Sequence, residues 1–289
     1  MTATTPSTAA CDWFTPGRFV ALLALCLFAA FPEVILGSHT FYYRDFGHFA
    51  YPLAHYQREC FWRGEIPLWN PYSSCGLPHL AQWNTLCLYP GALLYLLGPM
   101  PWALGLFSLA HLLLAGVGAY HLAHRWTGNR FAASVAGLAF AFNGFTLHAV
   151  MWPNNVAALA WAPWLWLLLE RACREGGRTI VLAALVGAIQ MLAGAPEIIL
   201  FTWAIAVPLA LLEGKRQKAK GKSAEAPEAP ASPFAFCLLP FALVLLLASA
   251  SSSPSSISFC TRTVRRRLTT GNTRSRSRAG RTSSSRSSG

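Results

Sequence analysis

The sequence predicts an all-α fold, a polytopic helical membrane protein. Of its 289 residues, 54% are hydrophobic and only 12% are charged, about half the charged share of an ordinary soluble domain. The apolar residues gather into long stretches with hardly a charge inside them. This composition excludes a disordered chain and a small disulfide-rich scaffold, and it argues strongly against a cytosolic domain.

Seven apolar stretches predict membrane-spanning helices, because a hydrocarbon core about 30 Å thick needs about 20 apolar residues per helix. They lie at 18–36, 101–122, 131–151, 156–169, 179–193, 198–212 and 233–249. The fourth, fifth and sixth are short, so they could be re-entrant or stop below one membrane surface. The apolar piece from Leu86 to Leu97 ends at Gly98-Pro99, which predicts a helix lying at the interface.

The distribution of Lys and Arg predicts a cytoplasmic N-terminus. With this orientation the inner segments hold eleven Lys or Arg and the outer segments hold three, all in a long outer loop at 37–100. The segment 213–232, rich in Lys, Ala, Glu and Pro, is predicted to be a cytoplasmic linker. A signal peptide is the alternative for the first span, but no clean small-x-small cleavage site follows it.

Residues 1–250 are predicted to form the membrane domain, and the last 39 residues differ sharply from it. Those 39 hold 13 Ser, 6 Thr and 9 Arg and no acid. One interpretation is a segment that binds RNA or anionic lipid, although the span at 233–249 would place it on the outer face. The other interpretation is GC-rich DNA read out of frame. If codons are assumed for residues 251–260 and shifted back by one base, they encode Gln-Leu-Leu-Pro-Phe-Leu-Asp-Leu-Leu, a plausible membrane segment. That interpretation makes the tail 251–289 disordered or artefactual, and the chain a truncated fragment of a longer polytopic protein.

The eight cysteines show no Cys-x-x-Cys spacing, so no metal cluster is predicted. Only Cys60 and Cys75 share the outer loop, where a disulfide is chemically permitted. A bond between them and two unpaired thiols both remain open.

The outer loop opens with Phe41-Tyr42-Tyr43-Arg44-Asp45-Phe46-Gly47-His48. From Phe46 to Cys60 apolar residues recur at steps of three and four, which predicts a helix lying on the bilayer. Pro52 marks the predicted start of this helix. The segment that follows is rich in proline and glycine, which predicts ordered turns with Trp69 as an interface anchor.

Two short outer turns carry further polar groups. Trp152-Pro153-Asn154-Asn155 joins the third and fourth spans, and Gly194-Ala195-Pro196-Glu197 joins the fifth and sixth. A carboxylate at membrane depth is costly, so Glu197 is a functional candidate, most of all if the short flanking spans sink its turn into a crevice. The alternative is a water-exposed acid near the start of a helix.

Each candidate also has a structural interpretation. Asp45 could form a surface ion pair with Arg44 or Arg58, which would contribute little. His48 could be an ordinary interfacial histidine, and Gln190 in the fifth span is predicted to form an interhelical hydrogen bond. The argument for function is shared placement, because the candidate acids, amides and outer arginines face the same predicted side.

In their order along residues 18–212, these motifs resemble the YfhO family of bacterial membrane proteins, within the broader class of GT-C glycosyltransferases. The resemblance is carried by one span followed by Arg-Asp-Phe at 44–46, then Pro-Leu-Trp-Asn-Pro at 67–71, Cys-Gly-Leu-Pro at 75–78, Trp-Pro-Asn-Asn at 152–155, Trp-Ala-Pro-Trp at 161–164 and Gly-Ala-Pro-Glu at 194–197. It implies a GT-C-like fold in the bacterial cytoplasmic (inner) membrane.

The resemblance implies transfer of a sugar from a polyprenyl-phosphate donor to an acceptor on the outer face. Asp45 would be the catalytic base, and positive charge or a divalent cation would meet the departing phosphate. The implied substrate-binding residues are Glu197, Arg44, Arg58, Arg63, His48, Asn154, Asn155, Trp69 and Asn70. Many members of the class carry two adjacent acids at this point, whereas Phe46 follows Asp45 here, which puts a paired-acid metal site in doubt.

The expected partners are the lipid bilayer and a lipid-linked sugar, with no nucleic acid; a divalent cation is left open as a cofactor, and the polyprenyl-phosphate sugar is the donor substrate. Two alternatives remain. One is a non-catalytic carrier or flippase for lipid-linked sugars, which would need more polar residues in the spans than Gln190, Ser134 and Thr202. The other is an inactive relic of a frameshifted gene.

Overall fold

A computed structural model describes residues 13–221, with side chains described through Arg216. Nine α-helices form this part of the chain: α1 (Pro16–Ala30), α2 (Pro32–Ile35), α3 (Tyr51–Trp62), α4 (Met100–Thr127), α5 (Arg130–Phe142), α6 (Gly144–Ala149), α7 (Pro153–Glu175), α8 (Arg178–Leu192) and α9 (Pro196–Gly221). Among the described residues, the extended pairing is a single antiparallel bridge between Asn70 and Leu77. The predicted all-α class is confirmed.

Four helical segments are long and apolar enough to cross a membrane: Met100–Thr127, Arg130–Ala149, Pro153–Glu175 and Pro196–Arg216. The helices α1 and α8 are also apolar but shorter, at 15 residues each. The chain is therefore a multi-pass helical membrane protein. The seventh predicted span at 233–249, most of the predicted linker and the tail at 251–289 lie outside the described residues.

Several helices differ from the predicted spans. The third span is divided at Asn143 into α5 and α6, and α9 continues past 212 into the segment predicted to be a linker. α7 has 23 residues and continues well past the predicted end of its span. The first span breaks near its end, because Phe31 leaves the helical conformation at φ −134° and ψ 50° and Pro32 begins the separate helix α2. A proline disfavours the helical conformation of the residue before it, which explains the break.

The helices run between two ends of the bundle. We call the end that carries residues 37–99 and the turns before α7 and α9 the loop face. We call the opposite end, where α4 meets α5 and α7 meets α8, the arginine face. α4 packs against α1, α5 and α7, and α7 also packs against α8 and α9, so α4 and α7 form the centre of the bundle.

Two glycines allow α4 and α5 to approach closely. A Cβ added at Gly137 would lie 2.8 Å from the backbone oxygen of Gly116 and would also overlap the ring of Phe19. A Cβ at Gly116 would lie 2.6 Å from Leu23. Small residues at such contacts are typical of membrane helix pairs, where close van der Waals packing replaces the hydrophobic effect. These glycines therefore set the spacing of α1, α4 and α5.

Gln190 joins three helices inside the bundle, which agrees with the interhelical hydrogen bond predicted for it. Its Nε2 donates to the Ala158 carbonyl oxygen of α7 at 3.0 Å and to the Thr202 hydroxyl of α9 at 3.1 Å. Gln190 itself lies on α8 and is fully buried. A hydrogen bond between helices is favourable where neighbouring lipid offers none.

An ion-pair network closes the arginine face. Glu170 of α7 binds Arg125 of α4 at 3.2 Å and Arg174 of α7 at 3.0 Å. Arg174 also pairs with Glu213 of α9 at 3.2 Å, and Glu213 pairs with Arg216 at 3.1 Å. The network links the ends of the two central helices to α9.

The outer loop packs onto the bundle. α3 begins at Tyr51, next to the predicted start at Pro52. Its buried face, which includes Leu53 and Cys60, packs against the 3-10 helix Pro90–Leu96 and α4. The apolar face predicted to lie on the bilayer is thus covered by protein at Phe46, Leu53 and Cys60, whereas Phe49 is 43% exposed. In the apolar piece from 86 to 97, the 3-10 helix buries Ala92 and Tyr95, whereas Leu88, Leu93 and Leu97 are exposed.

Gly137→Ala should destabilise the protein because the added methyl group would push α5 away from the α4 backbone. Overpacking of this kind costs about 1–3 kcal/mol, so the apparent Tm in mild detergent should fall by several degrees. Gly17→Ala is the matched control, because no atom lies within 4 Å of a Cβ at that helical position and alanine favours helix. Equal melting temperatures for Gly137→Ala and the wild type would contradict the close contact.

Candidate functional site on the loop face

Asp45 lies at a strained point where the outer loop begins. Arg44 before it has φ +44°, a left-handed conformation that non-glycine residues rarely adopt. Residues Phe46–Ala50 after it form a π-helical turn. Backbone strain and π-helical turns both concentrate at functional sites. The local backbone around Asp45 is therefore unusual on both sides.

The carboxylate of Asp45 is tied to the turn that precedes α7. The indole N–H of Trp152 donates to Asp45 Oδ2 at 2.9 Å, and Asp45 is half-buried. Among the described residues no group donates to Oδ1, so one carboxylate oxygen is held and the other is open. The bond joins positions 107 residues apart in the chain.

The arginines expected beside Asp45 have other environments. Arg58 is 7% exposed, donates to the Gly98 carbonyl oxygen at 3.3 Å and lies over the ring of Trp62 at 4.3 Å. Arg44 is exposed. Within the described residues neither forms an ion pair with Asp45. Arg58 instead supports the loop from inside.

The outer turns meet the loop through close backbone contacts. Asn154 Nδ2 donates to the Gly194 carbonyl oxygen at 3.2 Å and to Asn155 Oδ1 at 3.0 Å. Trp83 Nε1 donates to the Met191 carbonyl oxygen at 2.9 Å. Gly194 has φ +70°, and a Cβ there would overlap the Trp83 backbone. Only glycine fits this contact between the loop and the turn before α9.

Glu197 lies in the first turn of α9 and is exposed. The buried part of its turn is Gly194 and Ala195, so the turn sinks into the protein while the carboxylate faces outward. A negative charge in a first helical turn interacts favourably with the helix dipole. This geometry matches the structural alternative given for Glu197 from the sequence.

A groove of about 1460 Å³ opens between α3 and residues 63–74. Four of the predicted site residues line it, namely His48, Arg63, Trp69 and Asn70. Its other lining side chains include Tyr51, Tyr56, Tyr72, Glu59 and Glu65. The groove is therefore both aromatic and rich in hydrogen-bonding groups, a combination typical of small-molecule sites.

The far wall of the groove is a rigid turn. Asn70 and Leu77 exchange backbone hydrogen bonds at 2.8 and 2.9 Å, and Asn70 Oδ1 accepts from the Tyr72 backbone N–H at 3.0 Å. A Cβ at Gly76 would lie 2.7 Å from the Trp69 ring, so the turn is closely packed.

Tyr56 of α3 ties this turn to the helix. Its hydroxyl donates to the Trp69 carbonyl oxygen at 2.5 Å. Burial raises the pKa of that hydroxyl, so the group stays protonated and remains a donor. The two walls of the groove are thus joined by a direct hydrogen bond.

The charges at the groove compensate one another. Arg63 pairs with Glu65 at 3.2 Å, and Arg58 behind the groove lies 3.7 Å from Glu59. The ion pair with Glu65 raises the pKa of Arg63. The groove therefore has little net charge to offer a phosphate.

A small cavity adjoins the groove near the partner of Asp45. It holds about 20 Å³ and is lined by Trp152, Asn154 and residues of the loop. Phe49 and Leu53 line both this cavity and the groove. They form the wall between the two.

His79 is the most unusual polar group beneath α3. It is fully buried, and neither ring nitrogen has a hydrogen-bond partner. Burial lowers its pKa from 6.5 to about 4. A neutral imidazole is therefore enclosed below the helix that forms one wall of the groove.

The two cysteines of the outer loop are free thiols. Cys60 is buried in α3, whereas Cys75 is exposed in the turn beyond the groove. Of the two possibilities that the sequence left open, the structure has the unpaired thiols.

The structure thus divides the predicted site residues. Four line the groove, Asn154 and Asp45 share Trp152 as a neighbour, and Arg44 and Glu197 lie exposed outside both cavities. Asn155 accepts a hydrogen bond from Asn154.

Sequence reasoning missed Trp152 as a partner of Asp45 and Tyr56 as a wall of the groove. The available signal for Trp152 was an indole N–H directly before a turn with two asparagines. Tyr56 gave no such signal, because its role depends on the fold of residues 69–77.

Within residues 13–221, no group of three or more His, Cys, Asp or Glu side chains could hold a metal ion. Asp45 has Trp152 rather than a second acid beside it, so these residues do not fit a paired-carboxylate cation site. No family model matches the chain, and neither the curated proteins nor the solved structures provide a match.

Acid should weaken the packing of the loop through His79. Its folded pKa of about 4 lies below the ordinary 6.5, so protonation favours the opened state. The contribution of neutral His79 to the free energy of opening the loop is fully present above pH 6.5. It falls by on the order of 3 kcal/mol as the pH drops toward 4. Hydrogen exchange of residues 79–89 measures this opening free energy at each pH.

His79→Gln should remove most of that pH dependence, whereas His148→Gln should keep it, because His148 is exposed. Identical pH slopes for the wild type and His79→Gln would show that another group controls the opening.

Proposed function

We propose that the chain is a membrane glycosyltransferase that moves a sugar from a polyprenyl-phosphate donor to an acceptor at the loop face. The observation that carries this proposal is Asp45, a half-buried carboxylate with one oxygen held by Trp152 and the other open. The strained backbone at Arg44 and the π-helical turn that follows support a functional role for this position. The motif resemblance to the YfhO family and the GT-C class points to the same chemistry.

Asp45 would act as a general base. Its Oδ1 takes the proton of the acceptor hydroxyl while the hydroxyl oxygen attacks the anomeric carbon of the donor sugar. The bond from that carbon to the phosphate oxygen breaks, and polyprenyl phosphate leaves with the electron pair. The Trp152 N–H holds the carboxylate in one orientation during the transfer. The protonated Asp45 then returns its proton to water.

The departing phosphate needs positive charge. Arg44 is exposed beside Asp45, whereas Arg63 pairs with Glu65 and Arg58 is buried. Arg44 is therefore the residue that we assign to the phosphate. The isoprenoid tail of the donor would remain in the bilayer, next to the apolar helices that end at the loop face.

The proposal also includes the orientation. The bias of Lys and Arg toward the arginine face favours a cytoplasmic N-terminus, with the loop face outside a bacterial cytoplasmic membrane. A carrier for lipid-linked sugars would need a polar path through the bundle. The buried polar side chains Gln190, Thr202 and His111 bond to neighbouring groups instead, which favours the transferase.

Asp45→Asn should lower transfer by about 10²–10⁴-fold, because an amide cannot accept the proton. The measurement is donor-dependent transfer by membranes that contain the full chain, with wild-type and variant protein at equal abundance. Glu33→Gln is the matched control, since Glu33 is an exposed acid on the same face and should leave the rate unchanged. Undiminished transfer by Asp45→Asn would remove Asp45 as the base.

Trp152→Phe should lower kcat by about tenfold with little change in KM, because the ring remains while the donor to Asp45 is lost. Trp126→Phe is the matched control, because it also removes an indole N–H that donates to a carboxylate. Trp126 donates to Glu170 at 2.9 Å, but at the arginine face. If the two variants reduced kcat equally, the Trp152 bond would have a structural role alone.

A further inference from the structure

We propose that the groove between α3 and residues 63–74 binds an uncharged oligosaccharide. Binding of an oligosaccharide here does not depend on the proposed function. The further statement that this oligosaccharide is the acceptor of the transfer reaction rests on the proposed function. The groove and Asp45 are separate features, so each can be tested without the other.

The aromatic side chains of the groove are arranged for a ligand rather than for a core. Tyr72 is 86% exposed, although it stands on a turn fixed by backbone hydrogen bonds. Its ring lies 6.1 Å from that of Tyr56 at an angle of 71°. Aromatic rings presented in this way offer flat apolar faces at little conformational cost. The C–H faces of a sugar ring are complementary to such surfaces.

The polar lining suits hydroxyl groups. The carboxylates of Glu59 and Glu65 accept hydrogen bonds, and the hydroxyls of Ser73 and Ser74 both donate and accept. A ligand with many hydroxyls on an otherwise apolar ring framework can satisfy both parts of the groove. A purely apolar ligand would cover the hydroxyls of Ser73 and Ser74 without offering them a hydrogen bond, at a cost in free energy.

The charges argue against a phosphate or another anion in the groove. Arg63 is held by Glu65 at 3.2 Å, and Glu59 of the lining lies 3.7 Å from the buried Arg58. An anionic ligand would have to break the Arg63 ion pair and approach two carboxylates. The groove therefore favours an uncharged ligand, and the phosphate of a lipid-linked donor belongs elsewhere.

The size of the groove indicates several sugar units. Its volume of about 1460 Å³ exceeds the roughly 300–1,000 Å³ that hold a drug-sized ligand. One end reaches His48 and Phe49, about one helical turn from Asp45. The lining of the groove therefore begins three residues after Asp45 in the chain.

The test uses the full chain in lipid nanodiscs with defined probes. Maltohexaose and chitotetraose are the neutral oligosaccharides, and inorganic phosphate, glucose 6-phosphate and a proline-rich peptide are the competitors. Saturation-transfer NMR detects contact with the sugar protons, and titration gives the Kd. We expect at least one neutral oligosaccharide to bind and inorganic phosphate not to displace it.

Tyr72→Ala should weaken this binding by about tenfold, as expected for the loss of one stacked ring. Tyr72→Phe should retain most of it, because the ring remains. Tyr43→Ala is the matched control: Tyr43 is also an exposed tyrosine of the outer loop, at 64%, but it does not line the groove.

Absence of binding by both neutral probes would overturn the inference, as would equal effects of Tyr72→Ala and Tyr43→Ala. Displacement of the sugar by phosphate or by the peptide would also overturn it. Asp45→Asn separates the two proposals, because it should retain binding while transfer is lost. Loss of binding with transfer intact would reject the groove alone, and transfer that survives Asp45→Asn would reject the base alone.

Discussion

Indole N–H groups attach the outer loop to the helix bundle, and the geometry of the loop face depends on them. Trp83 donates to the Met191 carbonyl oxygen, Trp152 to Asp45 and Trp161 to the Tyr89 hydroxyl, while Trp102 of α4 joins α2 through the Ile35 carbonyl oxygen. Tryptophan suits a membrane interface because it combines a large apolar body with one polar donor. These bonds join segments that are distant in the chain, at 2.8 to 2.9 Å.

The attached loop contains two sets of polar side chains: one set is buried and supports the loop, and the other is exposed and available for chemistry. Arg58, His79 and Gln57 are buried beneath or within α3, whereas Arg44, His48 and Tyr72 remain accessible. Arg58 and Gln57 bond to the loop carbonyl oxygens of Gly98 and Leu86, and all three groups are buried at a cost in desolvation. The accessible groups stand on backbone that the buried ones support, which is the arrangement expected of a preorganised site.

The two ends of the bundle are built differently. The arginine face is closed by ion pairs among Arg125, Glu170, Arg174 and Glu213, which join the helix ends directly. The loop face is joined by indole donors and close glycine contacts such as Gly194 against Trp83. The second arrangement leaves a groove and an open carboxylate oxygen.

The amino-acid sequence alone determined the helical class, the placement of six apolar helices and the long loop that follows the first of them, because long apolar stretches have few stable conformations in lipid. It also indicated that Asp45, Asn154 and Asn155 share one face, and that Gln190 bonds between helices. Only the tertiary structure decided that Trp152 binds Asp45, that Arg58 turns inward, and that Glu197 is exposed. These outcomes depend on contacts between residues far apart in the chain, as with the 107 residues between Asp45 and Trp152. Hydrophobic periodicity reports which face of a helix is buried, but it carries no information on which distant side chain meets that face.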